Sequence, residues 1–322
     1  MQKILPKSKL KEFIESLMNS YEIIAPVNKD ITKFDIIKNP NEIYLKQITK
    51  VPLKKFFIPE NEIILEYENE IIKEKKDKTK ERVIFGLRKC DINALEILDK
   101  VMTDKFYLNK RKKSILIGYF CENPDKYCFC NSMQLSDKGF DLFFYPKDNF
   151  YFISIGTEKG KELVKNLKTA KKEIKLEYYN RKYLKETDLN KHYKDKIWEE
   201  NANQCLSCSA CTIYCPTCNC FDINDILSLN LKDGKRIRQE TSCHLKSFTE
   251  VAGEKYFRES RLARFKHFVY HKIVYYKKKK GRYMCVGCGR CLRVCPTKID
   301  WVKTINLLES IKHPIEAKEK II

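Results

Sequence analysis

Cys205-Leu-Ser-Cys208-Ser-Ala-Cys211-Thr-Ile-Tyr-Cys215-Pro216 and Cys285-Val-Gly-Cys288-Gly-Arg-Cys291-Leu-Arg-Val-Cys295-Pro296 share one spacing, C-x2-C-x2-C-x3-C-P. Thiolates at i, i+3 and i+6 let one loop wrap a cubane and grip three of its irons. The fourth cysteine, held before proline, serves the other cubane of a two-cluster site. That spacing groups Cys205, Cys208 and Cys211 with Cys295, and Cys285, Cys288 and Cys291 with Cys215. A zinc ribbon uses separate C-x2-C pairs, which fits two complete runs ending in Cys-Pro poorly. The spacing therefore predicts two [4Fe–4S] clusters.

The chain has 322 residues, enough for two or three domains, and 43% of them are hydrophobic. Its 15 cysteines are an odd number in short clustered spacings, a usage that favours metal ligation in a reducing compartment over a disulfide framework. Met1 to Ser20 is broken by Lys3, Lys7, Lys9, Lys11, Glu12 and Glu15 and lacks the apolar core of a signal peptide. The most hydrophobic run, Ile115 to Phe120, is too short to span a bilayer. A soluble cytoplasmic protein is expected. The net charge of +21, from 64 basic and 43 acidic residues, admits a nucleic-acid-binding class, whose affinity would fall steeply with salt. No aromatic stacking module or recognition motif accompanies it. A lysine- and glutamate-rich surface, or a basic face for an acidic redox partner, accounts for the charge as well.

Outward from the runs, the expected fold class is mixed α+β. Residues 1–185 form an α/β-type domain and 186–322 an α-helical ferredoxin domain, with the regular structure of the second half starting near Ile197. Lys9 to Met18 is amphipathic, with Leu10, Phe13, Ile14 and Leu17 on one face. Ile23–Val27, Ile43–Ile48, Phe56–Ile58, Ile63–Tyr67, Arg82–Leu87 and Ser114–Phe120 are strand-like, and Asp141–Tyr145 and Phe150–Ile155 suggest a hairpin. Asp91 to Met102 predicts a helix with Asp91 as N-cap, and Gly160 to Leu167 another. Lys168 to Lys196 is polar, without clear period, and suggests a linker or peripheral helices. Pro216 to Met284 separates the runs and carries helical patterns. In Arg261–Tyr276, Phe265, Phe268, Val269, Ile273 and Tyr276 share an apolar face, opposite Lys266, His267, Lys272 and the solvated run Lys277–Lys280.

Cys90, Cys121, Cys128 and Cys130 form a further set. Cys90 and Cys121 each follow an expected buried strand, so both thiols emerge at one sheet edge if the strands are neighbours. A third cluster, a zinc site and inert buried thiols all fit this spacing.

Gly86-Leu-Arg-Lys-Cys90-Asp-Ile-Asn-Ala-Leu95 resembles the G-V-x-x-C-D signature of sulfhydrogenase (cytoplasmic nickel–iron hydrogenase) beta subunits and of the iron–sulfur subunits of anaerobic sulfite reductases. Cys121-Glu-Asn-Pro-Asp-Lys-Tyr-Cys128-Phe-Cys130-Asn131, Gly139-Phe-Asp-Leu-Phe143, Pro216-Thr-Cys218-Asn-Cys220-Phe221 and Ser242-Cys243 are similar to segments of the same family. The resemblance covers nearly the whole chain and departs at Arg88-Lys89, where relatives often carry Arg-Pro or His-Ala. It implies a third [4Fe–4S] cluster on Cys90, Cys121, Cys128 and Cys130. It also implies an electron-transfer subunit of an anaerobic multisubunit oxidoreductase, working between a flavoprotein diaphorase-type subunit that handles NAD(P)H and a catalytic metalloenzyme subunit of hydrogenase, sulfur-reducing or sulfite-reducing type. A free-standing ferredoxin-like carrier is the alternative.

Cys218, Cys220 and Cys243 have no assigned role. They read as small buried residues or as a further site, with His244 beside them. There is no G-x-G-x-x-G or P-loop, so neither flavin nor NAD is expected on this chain, and substrate chemistry is expected on partner subunits, away from any membrane.

Overall fold

The computed structural model describes residues 2–69, 71–74, 78–229 and 232–308. In chain order the first half comprises β1 (Gln2–Pro6), α1 (Leu10–Met18), β2 (Glu22–Asn28), β3 (Thr32–Ile36), β4 (Asn61–Glu68), β5 (Ile71–Glu74), β6 (Arg82–Leu87), α2 (Lys89–Leu98), α3 (Lys105–Lys112), β7 (Ser114–Tyr119), β8 (Leu142–Lys147), β9 (Phe150–Ile155), α4 (Glu158–Leu163) and β10 (Lys168–Thr169). Eight of these strands make one sheet, ordered β10-β1-β9-β8-β7-β6-β2-β3. Its centre, β2, β6, β7 and β8, is parallel, and the neighbours at each side are antiparallel. Parallel strands are covered on both faces, so they read as unbroken apolar runs. Val83, Ile84 and Phe85 are accordingly sealed from solvent. Phe13, Ile14 and Leu17 of α1 pack on one face with Phe85, Ile117 and Phe144, while Ile92, Leu95 and Leu98 of α2 pack on the other with Ile84 and Leu116. Each fully buried aliphatic or aromatic chain contributes roughly 1.5–3 kcal/mol of transfer free energy.

Several expected elements differ. Ile43–Ile48 is irregular: Tyr44 donates to Pro26 O at 2.7 Å and Leu45 O accepts from the Arg88 guanidinium, so its backbone is satisfied outside any ladder. Phe56–Ile58 closes a 3-10 turn (Leu53–Phe56), with the Phe57 and Ile58 amides both bonded to Lys54 O. The side chains of Phe57 and Ile58 are buried as strand residues would be, although the backbone is turned. Helix α2 starts at Lys89, two residues before the expected cap. Asp91 sits inside its first turn and accepts the Arg88 amide at 3.1 Å. Lys168–Lys196 contains no helix. It is anchored at its end by Leu189 O, which accepts from Tyr270 Oη, and His192 O, which accepts from Trp198 Nε1, both at 2.7 Å.

The second half comprises α5 (Ile197–Gln204), α6 (Ala210–Ile213), β11 (Phe221–Leu227), β12 (Gly234–Glu240), α7 (Arg261–Tyr270), a π-helical turn (His271–Tyr275), α8 (Tyr276–Lys280), α9 (Arg290–Val294) and α10 (Trp301–Leu308). The insert between the cysteine runs is therefore not helical throughout. Its first part is the β11–β12 hairpin, which joins β4 and β5 in a four-stranded sheet ordered β11-β12-β4-β5. β12 pairs with β4 from Gly234↔Tyr67 to Gln239↔Asn61. A helical core of Trp198, Phe265, Phe268, Val269, Trp301 and Val302 also holds Phe129 and Met133 from the first half. Among the described residues, no helix is long and apolar enough to cross a membrane.

Candidate metal centres

The two cysteine runs fold as copies. Ser207 and Ser209 have φ of 52° and 64°, and the equivalent Gly287 and Gly289 have 63° and 71°. These left-handed residues curl each loop. They aim the Ser207 amide at Cys205 Sγ (3.4 Å) and the Gly287 amide at Cys285 Sγ (3.3 Å). After each closing Cys-Pro a threonine hydroxyl meets the cysteine sulfur: Thr217 at Cys215 (3.2 Å) and Thr297 at Cys295 (3.4 Å). Short helices α6 and α9 carry the third cysteine of each run to the fourth.

The fourth cysteines cross over. One cavity is lined by Cys205, Cys208 and Cys211 of the first run together with Cys291 and Cys295 of the second. The other is lined by Cys285, Cys288, Cys291 and Cys215. Trp301 and Cys291 line both. Backbone donors on sulfur and an all-thiol donor set are what a [4Fe–4S] cluster requires. A second sign of fit is an orphaned atom. His244 lines the first cavity, is 2% exposed, and its Nε2 is buried without a partner. Burial, with Arg264 and Lys272 nearby, holds its imidazole neutral, with a pKa lowered to about 4.

Cys90, Cys121, Cys128 and Cys130 are brought together. β6 and β7 are parallel neighbours, so the chain leaves both at the same edge, into Cys90 at the start of α2 and into Cys121. Burial pushes the Cys121 thiol up to about 11 and raises those of Cys90 and Cys128, the latter also facing Cys130 and Cys121. Tyr178 Oη lies 3.4 Å from Cys130 Sγ. Among the described residues, no three His, Cys, Asp or Glu side chains converge tightly enough to share a single ion.

This set abuts the second run. The Phe129 amide donates to Gly287 O at 2.8 Å, and Cys128 Sγ lies 3.6 Å from Cys288 O. A Cβ at Gly287 would stand 2.6 Å from Cys130 Cα, and one at Gly289 2.4 Å from Tyr127 O. Arg290, fully buried, pairs with Asp91 at 2.8 Å and donates to Thr49 O at 2.8 Å, joining α9 to α2. A cavity of about 560 Å³ opens beside Cys121 and Cys130 at the carboxyl end of the parallel strands.

Lys272, expected on a solvated helix face, is instead 4% exposed. The π turn His271–Tyr275 shifts the register of the helix and swings it inward. Its ammonium donates to Cys215 Sγ at 3.1 Å and Thr217 Oγ1 at 3.2 Å. With the Cys218 thiol donating to Cys215, that charge holds Cys215 well below the usual thiol range. No local pattern marks Lys272; only the unusual π turn would have drawn attention to it.

Fold and thiol geometry together define an iron–sulfur protein of the dicluster type, and a family model described as a 4Fe-4S dicluster domain matches residues 204–299. The chain is also 32% identical over 320 residues to sulfhydrogenase 2 subunit beta of Pyrococcus furiosus, an alignment covering 92% of this chain and 94% of that protein. It belongs to the sulfhydrogenase beta-subunit family. No solved structure matches it.

Proposed function

We propose that the chain is a three-cluster electron relay of a cytoplasmic hydrogenase-type complex. Cys205, Cys208, Cys211 and Cys295 would hold the first [4Fe–4S] cluster, Cys285, Cys288, Cys291 and Cys215 the second, and Cys90, Cys121, Cys128 and Cys130 the third. When bound, each cluster supplies a one-electron carrier whose potential follows net charge, hydrogen bonds to sulfur and exposure. The observation that carries this reading is the crossover: the cavity of each run also takes in the closing cysteine of the other, Cys295 in the first and Cys215 in the second.

The chain's own residues set how exposed each site is. Cys208 is exposed and Cys288 buried, so the first site meets solvent and the second is enclosed between the other two. The 560 Å³ cavity beside Cys121 and Cys130 leaves the third site open at the far side. One end would face a flavoprotein partner that handles NAD(P)H and the other a nickel–iron catalytic partner. The name of the relative, a beta subunit of a sulfhydrogenase, favours this pairing over a sulfite-reducing one.

Iron and acid-labile sulfide per chain, measured without oxygen, test the reading. About 12 irons are expected, and about 8 would remove the third cluster. Cys90→Ser should lose about four irons and one paramagnetic signal while leaving the other two signals intact.

A further inference from the structure

Three of the 15 cysteines lie outside the ligand sets. Cys218 donates to Cys215 and is tied to the second site. Cys220 and Cys243 pair with one another. The reason is the hairpin: Phe221 lies opposite Glu240, and the Thr241 amide donates to Cys220 O at 3.1 Å. That closure returns the chain so that the Cys243 thiol faces the Cys220 sulfur. Neither residue lines the cavity of either run. Cys243 is 4% exposed, whereas Cys220 is only half-buried.

We infer that Cys220 and Cys243 form a reversible redox disulfide whose substrate is a low-molecular-weight disulfide of the surrounding thiol pool. The Cys220 thiolate attacks one sulfur of the small disulfide. Its S–S bond breaks, one small thiolate leaves and takes up a proton, and Cys220 carries the mixed disulfide. Cys243, deprotonated as it attacks, then displaces the second small thiolate from Cys220. Two cysteine thiols are thereby oxidised by two electrons, and one small disulfide is reduced to two thiols. The half-buried Cys220 is the reachable attacker and the enclosed Cys243 the resolver. The Cys243 donor, with the ammoniums of Lys272 and Lys54, lowers Cys220 to about 7, near the optimum for an attacking thiol. Lys272 also touches Cys215. Oxidation therefore removes a thiolate facing Lys272 and is felt at the second site; that consequence rests on the cluster assignment above, and the disulfide itself does not.

The test uses anaerobically purified holoprotein equilibrated with oxidised and reduced glutathione at graded ratios. Free thiols are trapped with N-ethylmaleimide under denaturing conditions, and joined peptides are identified by mass spectrometry. The expected result is a Cys220–Cys243 bond whose fraction follows a two-electron dependence while iron per chain stays constant. C220S and C243S should each abolish the bond and keep the iron, and C218S should keep both. Alkylation of both residues at every ratio, or equal bonding to Cys218, overturns the inference. So does a loss of about four irons in C220S or C243S, because the residues would then be ligands. Too little iron in the wild type would count against the cluster assignment and leave the disulfide result standing.

Discussion

The two cysteine runs have one backbone and two surroundings. In the first, the left-handed positions are Ser207 and Ser209, and Cys208 faces solvent; in the second they are Gly287 and Gly289, and Cys288 is enclosed. Loop curvature does not demand glycine, since serine makes the same turn in the first run. Glycine is needed where Phe129, Cys130 and Tyr127 press on the loop and leave no room for a Cβ. The difference marks the second run as the buried junction of the molecule and the first as its open end.

The largest test of that contrast is Gly287→Ala against Ser207→Ala. The first adds a methyl 2.6 Å from the Cys130 backbone at a left-handed φ, so overpacking and strain should together cost about 2–5 kcal/mol. Ser207 already tolerates the conformation, and its truncation should stay within about 0.5 kcal/mol. Thermal unfolding of the holoprotein reads the stability, and iron per chain reads whether the N-terminal set still forms. Equal effects would mean that the two runs are not differently packed.

Much of this contrast is legible in the sequence. The Cys-Pro runs mark the thiols that line the two cavities, and the runs Arg82–Leu87 and Ser114–Phe120 mark the parallel centre whose edge gathers Cys90 and Cys121. Periodicity fails where burial and backbone shape part company. Phe56–Ile58 has strand-like side chains in a turn, and the residues of β11 are all exposed, so no apolar alternation announces them. β12 finds its partner β4 far away in sequence, which a local pattern does not encode. Lys272 sits 57 residues from Cys215, and a π turn supplies its register. Such neighbours are products of tertiary packing.

Lys272 gives the next test. A buried ammonium beside Cys215 stabilises the more negative, reduced form of whatever the second site holds. At an effective dielectric near 20 and several ångströms, one charge is worth about 2–3 kcal/mol, or roughly 100 mV for a one-electron couple. Lys272→Met keeps much of the chain's volume and removes the charge. One midpoint potential should fall by that amount in a titration followed by electron paramagnetic resonance, with the other signals moving far less. Uniform shifts would mean a general loosening.

His244 makes the smallest and most selective test, because among the described residues no buried ammonium bonds Cys295 as Lys272 bonds Cys215. What the first site has is a neutral imidazole with an unpartnered Nε2. The Ser242 hydroxyl caps the His244 amide at 3.1 Å, and Arg264 Nε donates to the His244 carbonyl at 2.9 Å, so its backbone is fixed. Phe265 and Phe268 hold the ring. A neutral donor is worth about 1 kcal/mol, near 40 mV for one electron. His244→Leu should lower the potential of the solvent-facing site by about that much, and His244→Gln, which can still donate, should recover part of it. If Gln behaves as Leu does, the ring only fills space. If both variants move the signal that Lys272→Met moves, then His244 belongs to the enclosed site, and solvent exposure is left to set the first run's sulfur environment apart from that of the second.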